Sequence, residues 1–151
     1  MQGDQMSGET TGAVRLMLRL EGLCVLLAAV LAYSKLGFSW GTFALFFLTP
    51  DVSFLGYLAG ARVGAITYNA AHSYIGAIAC LLVGFLLPAP VLSCAGVIWC
   101  AHIGFDRALG YGLKYSVGFG FTHLGIIGRF ARPAPNPAFE RDAPKTARPS
   151  I

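Results

Sequence analysis

The sequence predicts an all-α integral membrane protein, a bundle of about four transmembrane helices. Of its 151 residues, 56% are hydrophobic and only 12% are charged, whereas a soluble domain usually carries about 25% charged residues. The mean hydropathy is +0.64, and residues 63–105 contain no Asp, Glu, Lys or Arg. These observations argue against a soluble globular domain, a disordered chain and a coiled coil.

Four apolar segments are each long enough to cross the hydrocarbon core, which requires about 20 residues. As a single helix the uncharged run would be roughly 65 Å long, about twice the thickness of that core, so it must hold two spans. Pro88 and Pro90 divide it, because proline interrupts helical hydrogen bonding and restrains the residue before it. The predicted spans are residues 16–36, 37–61, 63–87 and 91–111.

The basic residues predict the orientation in the membrane. With the N-terminus inside, only Lys35 would lie outside, so both termini are expected in the cytoplasm. Because the basic residues lie at span edges and in the C-terminal tail, we expect a lipid bilayer and no nucleic acid as partner.

We predict a disordered N-terminal tail (1–14), an interfacial segment (108–128) within the transmembrane domain (15–128), and a disordered proline-rich cytoplasmic tail (129–151). A signal peptide beginning near Arg15 is the alternative for the first span.

Two sets of small residues are interpreted as packing positions. The cysteines lie inside apolar runs without a CxxC pair, which is typical of small apolar packing residues; they are Cys24, Cys80, Cys94 and Cys100. Gly56, Gly60 and Gly64 recur at every fourth position, a spacing that lets two helices approach closely. This glycine series predicts either packing within the chain or a homo-oligomer.

Ionisable residues within the spans are the candidate functional residues, because placing them in a membrane costs a few kcal/mol on insertion scales. They are Glu21, Asp51, His72, His102 and Asp106. In the predicted orientation all five fall in the cytoplasmic half of the spans, and independent placement would scatter them through both halves. Their common depth predicts one buried polar site that faces the cytoplasm.

Local spacing supports this site. His102 and Asp106 are four residues apart and share a helix face, where the carboxylate could orient the imidazole or share a metal with it. Thr49-Pro50-Asp51 resembles a helix start, with Thr49 as the cap and Pro50 in the first turn. A helix start inside the second span predicts a helix broken at Pro50, and such breaks are tolerated where they line a cavity or the protein interior.

Each of these residues also has a purely structural interpretation. His102 and Asp106 could be a hydrogen-bonded pair that joins helices, and His72 a buried neutral imidazole. Asp51 could cap the second half-helix, and Glu21 could pair with an arginine at the interface. His123 lies outside the spans and is expected to be an interfacial residue. As a set, two histidines and two carboxylates suit one divalent ion such as Zn, Mn or Fe.

A series of short motifs, in this order, resembles a bacterial integral membrane family known as domain of unknown function 4260. The motifs are Arg19-Leu20-Glu21-Gly22, Pro50-Asp51, Leu55-Gly56-Tyr57, Tyr68-Asn69-Ala70-Ala71-His72-Ser73-Tyr74, Ala101-His102-Ile103-Gly104-Phe105-Asp106-Arg107, Gly110-Tyr111-Gly112-Leu113-Lys114-Tyr115 and Thr122-His123-Leu124-Gly125. The resemblance covers about residues 19–129. It implies location in a bacterial inner or plasma membrane and implies no activity.

A more distant resemblance is to the membrane-bound metal-dependent hydrolases of the YdjM type. That family carries Pro-Asp, His-Ser and His-xxx-Asp in this order, which would correspond to Pro50-Asp51, His72-Ser73 and His102-xxx-Asp106. Ser53 and Thr67 stand where the family has two further potential ligands. The resemblance therefore implies one metal ion rather than two.

The leading functional expectation is a metal-dependent hydrolase acting on an anionic or phosphoester substrate. Asp51, His72, His102 and Asp106 would be the metal ligands, with Asp51 also catalytic, and Glu21 would be the general base or a group that supports a ligand. One alternative is a small transporter, proton-relay or ion-binding subunit that uses the same residues as ion or proton sites. Another is a structural or accessory membrane protein whose polar residues only hold helices together.

Overall fold

A computed structural model describes Thr10 and residues 12–116 and 120–126. Its elements are α1 (Gly12–Lys35), α2 (Trp40–Phe47), a 3₁₀ helix (Thr49–Ala59), α3 (Ala61–His72), α4 (Tyr74–Leu86), α5 (Pro90–Leu109), β1 (Phe121–Thr122) and β2 (Gly125–Ile126). Three helical stretches are long and apolar enough to cross a membrane, namely Gly12–Lys35, Trp40–Ala59 and Ala61–Leu86. With α5 as the fourth helix, the predicted all-α membrane bundle is confirmed.

Two of the predicted spans are interrupted. In the second span α2 ends at Phe47 and the 3₁₀ helix follows with Pro50 in its first turn, so the predicted break is confirmed. Capping by Thr49 is wrong, because Leu48 occupies the cap position and no side chain caps this end within the described chain. In the third span Ser73 is extended (φ −93°, ψ 146°) and separates α3 from α4. Neither proline nor glycine marks this second break, so the sequence did not predict it.

The central helix of the bundle is α5. It packs against α1, α4 and α2, and the apolar core lies between α1, α4 and α5. Gly22 and Gly104 let α1 and α5 approach closely: a Cβ on Gly104 would lie 2.7 Å from the backbone nitrogen of Leu26, and one on Gly22 would overlap Arg107. Small residues allow such contacts between membrane helices. Helix α3 packs mainly on the 3₁₀ helix.

The glycine series lies where the 3₁₀ helix turns back into α3. Gly60 joins the two helices with a φ of +110°, which L side chains rarely adopt. Gly56 packs against Thr67, and Gly64 packs against the ring of Tyr57. These contacts lie within the chain, as the packing interpretation predicts, and the three glycines do not share one helix face. A homo-oligomer through them stays a prediction.

The described residues after α5 (110–116 and 120–126) fold back onto the bundle. Gly110 caps the C-terminal end of α5, and its backbone adopts a left-handed conformation (φ 96°). The strands β1 and β2 then form an antiparallel hairpin, which Lys114 joins through a bridge to Thr122. The interfacial location of residues 108–128 stays a prediction. The predicted tail 129–151 and residues 1–9 and 11 lie outside the described residues, whereas residues 12–14 belong to α1.

Candidate metal centre

Four of the five predicted polar residues converge. Asp51 comes from the 3₁₀ helix, His72 from the last position of α3, and His102 and Asp106 from α5. One nitrogen or carboxylate oxygen from each lies within 4.8 Å of those of the other three. The four side chains therefore connect the 3₁₀ helix and α3, which pack on each other, to the central helix α5.

Most separations in the cluster are close to those around a single tetrahedral ion. The Nε2 atoms of His72 and His102 lie 3.1 Å apart. Asp51 Oδ1 lies 3.3 Å from His72 Nε2 and 3.5 Å from His102 Nε2, and Asp106 Oδ2 lies 3.5 Å from His72 Nε2 and 3.9 Å from His102 Nε2. Ligand atoms at about 2.0–2.2 Å from a tetrahedral ion lie about 3.3–3.6 Å from each other. All four ligand atoms lie within 4.8 Å of one another, so the cluster could hold a divalent metal ion if the carboxylates moved closer to the centre.

The tautomer of His72 is set by its own helix. Its Nδ1 lies 3.0 Å from the carbonyl oxygen of Tyr68. Because a carbonyl oxygen only accepts hydrogen bonds, Nδ1 must carry the proton, and in the neutral ring Nε2 presents its lone pair to the cluster. The Tyr68 ring stacks on the imidazole with centroids 3.7 Å apart. His72 is therefore held in the orientation and tautomer that a metal ligand requires.

His102 is held differently. Its ring packs edge-on against Phe47, and its Nδ1 is buried with no hydrogen-bond partner among the described residues. Both imidazoles are almost completely buried, at 2% exposure for His72 and 1% for His102. The side chain of Asp51 is 34% exposed and that of Asp106 is 15% exposed. The cluster thus opens to its surroundings mainly beside Asp51.

The break at Ser73 frees carbonyl groups that α5 then satisfies. The indole nitrogen of Trp99 donates to the Ala71 carbonyl at 2.5 Å, and Arg107 Nη2 donates to the His72 carbonyl at 3.2 Å. An unsatisfied carbonyl in a membrane interior costs several kcal/mol, so a helix can break there only where other groups pair with it. These two hydrogen bonds fix the end of α3, and with it the position of the His72 ring.

Further groups surround Asp106. The Tyr68 hydroxyl donates to Asp106 Oδ2 at 3.2 Å. The Lys114 ammonium group lies over the rings of Tyr68 and Phe54, with centroid distances of 4.6 and 5.4 Å. Burial lowers the pKa of Lys114 to about 8, although the carboxylates of Asp106 and Asp51 act in the opposite direction. This lysine brings positive charge to the acidic side of the cluster.

The segment after α5 is tied to the site. Asn69, one turn before His72, donates through Nδ2 to the Lys114 carbonyl at 2.9 Å and accepts from the Lys114 backbone N–H at 2.7 Å. His123 accepts at Nδ1 from the Leu113 backbone N–H at 2.8 Å. Burial, followed by the charge of Arg107, lowers the pKa of His123. His123 therefore holds the segment after α5 through a hydrogen bond, a contact that the sequence did not predict.

Glu21 does not belong to the cluster. It is exposed on α1, and the group of potential ligands in the described chain comprises the other four residues. Its role as a general base stays a prediction.

The capping interpretation of Asp51 gains no support, since its carboxylate faces His72 and His102. The i, i+4 geometry predicted for His102 and Asp106 is confirmed.

Sequence reasoning missed several supporting residues. Tyr68 precedes His72 by four positions, and this helical spacing could have identified it. The contacts of Asn69, Trp99 and Lys114 join segments far apart in the chain, and no local pattern signals them. The four free cysteines also lie outside the cluster, and Cys94 and Cys100 are buried in α5.

Comparison with known protein families assigns most of the chain to one of them. The family model described as "Domain of unknown function (DUF4260)" matches residues 15–127, a range that contains all four residues of the cluster. No curated protein and no solved structure matches significantly, and the resemblance to YdjM-type hydrolases stays a prediction. Since the model covers most of the chain, this membrane protein belongs to the DUF4260 family.

Proposed function

We propose that this protein is a membrane-embedded, metal-dependent hydrolase with one divalent ion held by Asp51, His72, His102 and Asp106. The observation that carries the proposal is the convergence of four ligand atoms within 4.8 Å, from three separate helices. Two imidazoles and two carboxylates suit Zn, Mn or Fe. Burying this many ionisable groups is costly unless they are paired or bind a cation.

The surroundings of the cluster support a hydrolytic reaction on an anionic or phosphoester substrate. A divalent ion supplies Lewis acidity and activates water. Asp51 is the most exposed of the four residues, so substrate would reach the site from its side. Lys114 adds a positive charge that would stabilise an anionic group near Asp106. Asp51 and the exposed Glu21 remain the candidates for assisting proton transfer.

Metal analysis of the full-length protein in detergent tests the proposal. We expect about one Zn, Mn or Fe per chain in the wild type and a loss of at least tenfold in His102→Ala. His123→Ala is the matched control, because it removes an imidazole outside the cluster, and circular dichroism checks that both variants fold. Absence of metal after purification and after addition of each of the three ions would contradict the proposal.

A proton-relay or ion-binding role is the second candidate, and the 3.1 Å separation of the two Nε2 atoms favours it. At this distance a single proton could be shared between the imidazoles. This role predicts a protein that stays metal-free and in which the two imidazoles share one proton. Nitrogen chemical shifts of His72 and His102, which report where the ring protons lie, would measure this directly.

A further inference from the structure

An apolar, partly open cavity lies between α2, the start of the 3₁₀ helix, the end of α3 and the first half of α5. Its volume is about 460 Å³, within the range of about 300–1,000 Å³ that small-molecule pockets occupy. It is lined largely by apolar side chains, among them Phe46, Ala95 and Trp99. Water would find few hydrogen-bond partners there, so an apolar occupant is favoured.

The cavity ends next to the metal ligands. Pro50 and Ala71 line it, and each immediately precedes a ligand, Asp51 and His72. On α5 the lining residue Ile98 lies four positions before His102, so the cavity and the cluster occupy successive turns of the same helix. The four ligands are not among the residues that line the cavity, but its wall adjoins them in the chain, so the end of a molecule in the cavity would lie about one helical turn from the cluster.

The outer rim of the cavity belongs to the lipid-facing surface. Phe46 and Val91 line the cavity and are 52% and 70% exposed. Both are apolar and lie within the predicted spans, so a bilayer around the bundle would bring acyl chains to this rim. Hydrocarbon chains can enter from the bilayer without crossing water.

From these observations we propose that the cavity binds the hydrocarbon chain of a membrane amphiphile, whose polar head lies at the Asp51–His72–His102–Asp106 cluster. The inference rests on the proposed function for the role of the head group, and it specifies the substrate class as a lipid-like phosphoester. The cavity has the volume of a small-molecule pocket, so it can take a segment of an acyl chain.

The fluorescence of Trp99 can report the binding of a chain in the cavity. Its two tryptophans are Trp40 and Trp99, and Trp99 lines the cavity. In the Trp40→Phe background, the full-length protein in detergent is titrated with a lysophospholipid brominated in the middle of its chain, since bromine quenches indole fluorescence on contact. We expect saturable quenching with one lysophospholipid per protein chain.

A cavity-filling variant and a matched control test where the chain binds. Ala95→Phe places a ring in the cavity, whereas Ala79→Phe adds the same ring to an exposed position on α4 that does not line it. We expect the first to weaken the saturable quenching at least tenfold and the second to leave it within twofold. Quenching that only follows the bulk ratio of brominated lipid to detergent, or that is equal in both variants, would overturn the inference.

Failure of this inference can be distinguished from failure of the proposed function. His102→Ala removes a metal ligand that does not line the cavity, so metal content should fall, and quenching should weaken but stay saturable, because the contacts to the chain are kept. If the chain binds but the protein takes up no metal and hydrolyses no lysophospholipid, the proposed function fails and the cavity assignment stands. If metal binds normally but quenching is not saturable, only the cavity assignment fails.

Discussion

The Nε2 atoms of His72 and His102 face each other at 3.1 Å, with carboxylate oxygens of Asp51 and Asp106 beside them. Because Nδ1 of His72 carries its proton toward the Tyr68 carbonyl, the facing nitrogen of the neutral ring is an acceptor. Two arrangements satisfy this nitrogen. Either His102 donates to it from Nε2–H, or a cation lies between the two imidazoles and the two carboxylates.

Replacing a carboxylate separates the ligand interpretation from the capping interpretation of Asp51. We expect Asp51→Asn to lower metal affinity at least tenfold, because a neutral amide oxygen is a weaker ligand than a carboxylate. The metal-free protein should keep its unfolding temperature within a few degrees, since Asp51 is partly exposed. Metal titration and thermal unfolding of the metal-free form measure the two effects. Unchanged metal affinity would argue that Asp51 is not a ligand.

Substitution of Tyr68 tests whether the hydrogen bond to Asp106 supports metal binding. Tyr68→Phe keeps the ring that stacks on His72 and removes only the hydroxyl that donates to Asp106. Loss of a hydrogen bond to a ligand typically lowers metal affinity about 10–100-fold, and we expect a change in this range from metal titration. Tyr111→Phe, at an exposed tyrosine after α5, is the control. Equal affinities in the two variants would remove Tyr68 from the site.

Trp99 tests the break in the third span. Trp99→Phe removes the N–H that donates to the Ala71 carbonyl, and we expect a loss of about 1–3 kcal/mol in the free energy of unfolding, because this half-buried carbonyl is left unpaired in an apolar setting. Trp40→Phe, which changes an exposed indole, should cost less. Denaturant unfolding in mixed micelles measures both. A variant as stable as the control would show that this hydrogen bond does not hold the end of α3.

Gly104 tests the contact between α1 and α5. A Cβ there would lie 2.7 Å from the backbone nitrogen of Leu26, so Gly104→Ala should force the helices apart and cost about 1–3 kcal/mol, as overpacking usually does. At Gly41, where the nearest atom to an added Cβ is 3.6 Å away, Gly41→Ala should be neutral or stabilising, because alanine favours helix. Thermal unfolding of the pair decides whether the close approach matters for stability.

The sequence alone determined the membrane class, the helical bundle and the break at Pro50. Each follows from local properties: apolar length, the missing N–H of proline and the spacing of residues along a helix. It also selected Asp51, His72, His102 and Asp106, because ionisable residues are rare within spans and their common depth can be counted along the chain.

Only the tertiary structure decided which of the polar residues meet. Glu21 shares the predicted depth of the ligands, yet it lies exposed on α1, because the rotation of a helix about its axis depends on packing against its neighbours. The break at Ser73 depends on Trp99 and Arg107, which pair with the freed carbonyl groups from α5. Such contacts join segments distant in the chain, and their geometry arises only when the helices pack.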